Sequence, residues 1–105
     1  METKDVLSLA LAFYKDKIQS ETLQQFHSEF NKLLEADAVA RRSKAQTLVM
    51  QLAKLKIALQ QFELTYQNLK KKVGEVKAVD EYISSIKREI QKISDNKNNH
   101  RFDQL

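Results

Sequence analysis

The chain has 105 residues with a single Gly and no Pro, Cys or Trp, 42% of them hydrophobic and 30% charged. One Gly and no Pro exclude folds built on many tight turns, such as sandwiches, barrels and doubly wound sheets. The absence of Cys excludes a disulfide scaffold and a Cys-ligated zinc site, and 105 residues suit one helical core.

The net charge of +4 is unevenly spread. Residues 1–37 carry four basic and seven acidic side chains, residues 38–72 carry eight basic ones and only Glu63, and residues 73–105 carry six of each. Such a pattern arises when an acidic segment packs beside a basic one, since complementary charges at a seam's edge set register. It also arises from an anion-binding face. The N-terminal segment lacks the basic start of a signal peptide, and its apolar run, Val6 to Tyr14, is too short for the roughly 20 residues of a membrane span. The expectation is a soluble, cytoplasmic protein.

The first predicted helix, about 4–19, shows Leu7, Leu11, Tyr14 and Ile18 beside a second row of Val6, Ala10 and Phe13. Thr3 or Asp5 is its expected cap. The second, about 21–36, shows Leu23, Phe26, Phe30 and Leu33 after a phase slip near Ser20, an N-cap residue type; one kinked helix over both segments is the alternative. Asp37 reads as the cap of the third helix, about 38–73. Ala45, Leu48, Leu52, Leu55, Leu59, Phe62, Tyr66, Leu69, Val73 and Val76 alternate three and four apart, a heptad seam without interruption.

Lys70, Lys71 and Lys72 precede Gly74, a basic last turn before the residue that best closes a helix. A last helix, about 80–94, opens at Asp80 and shows Val79, Ile83, Ile86, Ile90 and Ile93. These elements make an all-α fold: an antiparallel three- or four-helix bundle with one long central helix (about 38–73), about twice the length of the others. The first two helices are expected to stack end to end along it or run as one. Residues 1–95 form one domain and residues 96–105 a flexible tail, in which Arg101, Phe102 and Leu105 suggest a short docking element.

Met50, Ile57 and Leu64 form a second row on the central helix, at the heptad position opposite the main seam, which is normally polar. Two explanations fit. Segments 1–36 and 80–95 cover the helix from both sides, or the row is an interface for a second subunit or a partner. Arg41, Arg42 and Lys44 cluster at the predicted start of the same helix, where the dipole disfavours cations. Their charge is balanced either by Glu35 and Asp37 or by a bound phosphate. With Lys54 and Lys56 they form the candidate anion-binding set.

Little points to catalysis. There is no Cys nucleophile, no Gly-x-Ser-x-Gly elbow and no Gly-rich phosphate loop. His27 sits beside an apolar stripe and reads as a packing residue, and His100 lies in the tail. No Glu-x-x-His spacing supports a metal site, so no cofactor is expected. Seven of the eight aromatics lie on or beside apolar stripes and read as core; Phe102 alone does not, which leaves no stacking platform for single strands.

In size, basic charge and helical character the chain resembles the small bacteriocin-immunity proteins, a resemblance of bulk properties without a shared motif. The functional expectation is a non-catalytic helical interaction module: an adaptor, a small inhibitor, an immunity-type or a chaperone-like protein. It would present Met50, Ile57 and Leu64 to a protein partner or to a second copy. The alternative is an accessory nucleic-acid-binding protein using Arg41, Arg42, Lys44, Lys54 and Lys56; peripheral association with an anionic membrane is a weaker idea.

Overall fold

With no Pro and one Gly, the backbone between the first and last described residues leaves the helical conformation at three short connections. The computed structural model describes the backbone of residues 3–103 and the side chains of residues 4–95. Four helices follow in order: α1 (Thr3–Tyr14), α2 (Ser20–Arg42), α3 (Ala45–Lys72) and α4 (Lys77–Asp103), with no strand among the described residues. The molecule measures 56 × 22 × 20 Å with a radius of gyration of 15.6 Å. About 13 Å would suit a sphere-like domain of this length, so the shape is a rod.

The first connection falls earlier than the periodicity predicts. The Tyr14 carbonyl accepts from the Lys17 and Ile18 amides at 3.0 and 3.2 Å, which winds the chain into a tight turn. Gln19, in extended conformation, then starts α2 and accepts from Leu23 through its carbonyl. Helix α1 packs against α4 and α2, so it does not extend the line of α2 along α3. Its buried line is Val6, Ala10 and Tyr14, while Leu7 and Leu11 are half-buried.

The second connection corrects the largest error in the sequence reading. The apolar stripe of α2 does not end at Leu33. It continues in heptad spacing through Asp37 to Ala40, and all three residues are buried. Asp37 therefore occupies a core position in mid-helix and caps nothing. The break comes at Ser43 and Lys44, both extended. Ser43 Oγ donates to the Val39 carbonyl at 2.7 Å and its amide to Ala40 at 3.3 Å, so a side chain satisfies a carbonyl that the helix end would leave unpaired. The central helix thus begins at Ala45, the first member of its seam. At 28 residues it is about twice the length of α1, with 12, but not of α2, with 23, or α4, with 27.

The third connection matches its signals at the end of α3, but α4 opens at Lys77 and not at Asp80, whose amide already bonds the Val76 carbonyl, so Asp80 is no cap. Gly74 has φ +126°, a conformation that side chains disfavour. A Cβ there would meet Phe13 Cζ at 3.6 Å, an ordinary contact, so the need for Gly lies in the backbone. Tyr14 Oη donates to the Gly74 carbonyl at 3.0 Å, and Tyr66 Oη bonds both the carbonyl and the amide of Val76 at 2.9 Å. Burial pushes the Tyr14 hydroxyl up to about 12, with Asp80 adding to the effect, and it raises Tyr66 as well. Asp80 lies in the first turn of α4 and pairs with Lys70 at 3.3 Å.

The α3 seam is buried from Leu52 to Leu69, and on α4 Val79, Ile83, Ile86 and Ile90 are buried. A run of ring contacts joins all four helices: Tyr14 to Phe26 at 5.6 Å, Phe26 to Phe62 and Phe62 to Phe30 at 5.3 Å, and Phe30 to Tyr82 at 5.1 Å. Phe26 with Phe62 and Glu29 with Thr65 tie α2 to α3, and Glu63 with Lys87 and Lys70 with Asp80 tie α4 to α3. The backbone of α4 continues past the expected end at 94 because no Gly or Pro interrupts it. The suggested docking element at Arg101, Phe102 and Leu105 lies outside the described side chains, as does His100.

Phe62→Ala removes the ring shared by two of these contacts and is expected to cost about 3–5 kcal/mol in urea unfolding. A loss below about 1 kcal/mol would show that the rings do not hold the core. Gly74→Ala is expected to cost about 1 kcal/mol or more, through backbone strain alone.

Candidate functional site

Helix α3 has two unlike faces. Its seam carries the core, while its opposite side is bare: Met50 is 52% exposed, Ile57 55% and Leu64 65%, and Val49 beside Met50 is 55% exposed. Among the described residues no other segment covers this row, which corrects the explanation that 1–36 and 80–95 enclose the helix from both sides. Those segments pack on the seam side, because the aromatic and isoleucine side chains of α2 and α4 meet Leu55, Leu59 and Phe62 in one cluster. The row repeats every seven residues, so its members stand about 10.5 Å apart and together span about 21 Å.

Beside Ile57 a pocket of about 200 Å³ opens between α2 and α3, lined by Glu29, Lys32, Lys54, Ile57, Ala58 and Gln61. Glu29 in its wall accepts a hydrogen bond from Thr65 Oγ1. Lys32 and Lys54 are exposed. Neither Val49 nor the α2 wall of this pocket figured in the sequence reading. Val49 adjoins the row by sequence, but the pocket needs the pairing of α2 with α3.

The five candidate anion-binding residues do not gather on one surface. Arg41 and Arg42 lie in the last turn of α2, not at the start of α3, so the dipole favours them there. Arg41 is engaged: its Nε reaches Glu89 at 2.7 Å and Asp37 at 3.2 Å. Asp37 is thus the balancing acid that the sequence offered. Arg42 and Lys44 are exposed at the α2–α3 turn. Lys54 and Lys56, both exposed, are two residues apart, about 200° around the helix, and point away from each other. His27 is exposed on the polar side of α2 beside Gln24, Ser28 and Asn31, and does not pack as expected. Among the described residues no group of three or more His, Cys, Asp or Glu is placed to hold a metal ion, and no helix is long and apolar enough to cross a membrane.

The Asp37 cluster is the main buried polar feature. Arg41 serves two carboxylates, Asp37 from its own helix and Glu89 from α4. Burial raises the Glu89 carboxyl to about 7, and the neighbouring Asp37 carboxyl pushes in the same direction against the pull of Arg41. Burial works against the Arg41 charge, but the two acids outweigh it and its pKa is raised. Tyr82 Oη and Glu89 Oε2 are buried without a hydrogen-bond partner among the described residues. Burial raises the Tyr82 hydroxyl, with Asp37 adding to the effect.

A carboxyl raised from 4.5 to about 7 in the folded state holds its proton more tightly than in the unfolded chain. Its stabilising contribution is complete at acid pH and is lost as pH rises from about 4.5 to 7. The loss is about 2–4 kcal/mol. Glu89→Gln mimics the protonated side chain, so denaturant melts should show the variant gaining stability relative to wild type between pH 5 and pH 8. A pH-independent difference between the two proteins would contradict this account of Glu89.

Comparison of the chain with protein-family models, with curated proteins and with solved structures finds no match.

Proposed function

We propose that the protein is a non-catalytic helical interaction module that presents the outer face of α3 to a protein partner. In fold detail we read it as an antiparallel four-helix bundle with a coiled-coil-like seam on α3. The two-residue turn at Ser43 and Lys44 folds α3 back on α2, and Glu63 with Lys87 and Lys70 with Asp80 pair rising positions of α3 with falling positions of α4, which supports that reading. A cytoplasmic setting is in keeping with a chain without Cys.

One observation carries the proposal: Met50, Ile57 and Leu64 are large apolar side chains, each more than half exposed, in a single row on a helix whose other side is buried from Leu52 to Leu69. Scattered exposed apolar residues are ordinary, whereas an aligned set marks an association surface. An adaptor, a small inhibitor, an immunity-type protein and a chaperone for one client all work through such a face. Less supports the nucleic-acid reading, since Arg41 is held by two carboxylates and Lys54 and Lys56 diverge.

Ile57→Lys and Leu64→Lys are expected to leave thermal unfolding within about 0.5 kcal/mol of wild type, because neither side chain is buried. A photo-crosslinking residue at position 57 is expected to trap one defined protein adduct, or a dimer, in the producing cell, and the same residue at Lys15 none. Unfolding of the Ile57→Lys chain, or equal labelling from both positions, would overturn the proposal.

A further inference from the structure

We infer that the bare row on α3 receives an acidic amphipathic helix of another protein, with one of its apolar side chains seated in the pocket beside Ile57. This rests on the reading of that row as an interaction face and adds the chemistry of the partner.

The geometry sets the shape of the occupant. Val49 widens the row at Met50, but from Ile57 to Leu64 it is one residue wide, with Ala53 and Gln60 on one flank and Lys54 and Gln61 on the other. A bilayer takes a broad apolar face, and a row bordered by amides does not offer one. A helix with apolar residues at heptad spacing matches a narrow row about 21 Å long, and amides along both flanks suit its polar edges. The pocket of about 200 Å³, with Ile57 and Ala58 in its walls, offers such a helix one anchoring point.

Charge sets its chemistry. Helix α3 holds five lysines and a single acid, Glu63, which pairs with Lys87 at 3.2 Å. The acid in the pocket wall, Glu29, is bonded to Thr65. The pocket wall sets two lysines, Lys32 and Lys54, against one carboxylate, Glu29, so the surface that meets the partner is net positive. A second copy would bring the same lysines against each other; an acidic helix would pair with them.

Three labelled helical peptides of about 21 residues test this, identical at apolar heptad positions and rich in Glu, Gln or Lys elsewhere. Binding to the full chain is read by fluorescence anisotropy. The Glu-rich peptide is expected to bind about tenfold or more tightly than the Gln-rich one and to weaken in about 0.5 M salt, with the Lys-rich peptide the poorest. Lys32→Glu with Lys54→Glu, both at exposed sites, should reverse the order, and Ile57→Lys should abolish binding. Circular dichroism checks that each variant is folded. If the Gln-rich peptide binds as well as the Glu-rich one, or the order survives the double charge reversal, the acidic partner is wrong and the interaction face stands. A wild-type dimer that Ile57→Lys dissociates makes the occupant a second copy, again overturning only this inference. Row-dependent binding to anionic vesicles without peptide binding makes the occupant a membrane and sinks both readings, as does the absence of all binding and self-association.

Discussion

Five rings decide how this chain folds. Tyr14, Phe26, Phe62, Phe30 and Tyr82 touch in succession, and the succession passes from α1 to α2 and α3, back to α2 and on to α4. Each contact adds about 0.5–1.5 kcal/mol to the burial of the rings themselves. Phe62 is central because it meets Phe26 and Phe30 on consecutive turns of α2 and so fixes the register of α2 on α3. Once that register is set, Glu29 reaches Thr65 and the seam from Leu52 to Leu69 closes. The aromatic run also determines what stays outside. Phe26 and Phe30 meet α3 at Phe62 on its buried side, and Met50, Ile57 and Leu64 stand exposed on the other.

The two ends of the rod are held differently. At the Gly74 end, two tyrosine hydroxyls bond the backbone of the α3–α4 turn, an arrangement that satisfies buried polar groups with neutral partners. Toward the other end, Asp37 stands at a core position of the α2 stripe and is neutralised by Arg41, which also holds Glu89 on α4. One cation between two carboxylates leaves a net negative charge in a poorly solvated place, and this raises the affinity of Glu89 for a proton. A polar residue in an apolar seam costs stability and restricts register, since only one alignment of α4 brings Glu89 to Arg41.

Helical class, the α3 seam, the turn at Gly74 and the core role of seven aromatics were legible in the sequence because each follows from local period or from the one residue able to take a positive φ. The α2–α3 junction was not. Asp37 has the residue type of a cap, and its identity as a buried partner of Arg41 depends on Glu89, more than fifty residues away. The true break rests on a bond from Ser43 to the Val39 carbonyl, which leaves no trace in apolar spacing. The second row on α3 was visible as a repeat, but periodicity does not say which side of a helix its neighbours occupy. That needed the placement of α1 against α4 and α2. The pocket beside Ile57 was hidden for the same reason, because Lys32 and Lys54 meet only when two helices pair.

The central claim is that one side of α3 is the core and the other is uncovered. Because the chain has no Cys, single-cysteine variants report this without background. Thiol-modification rates under native conditions should be near those of an unstructured thiol for Ile57→Cys and Leu64→Cys, and suppressed to the rate of unfolding for Leu59→Cys. Protection at position 57 equal to that at position 59 would contradict the account, since it would place the row inside a packed interface of the free protein.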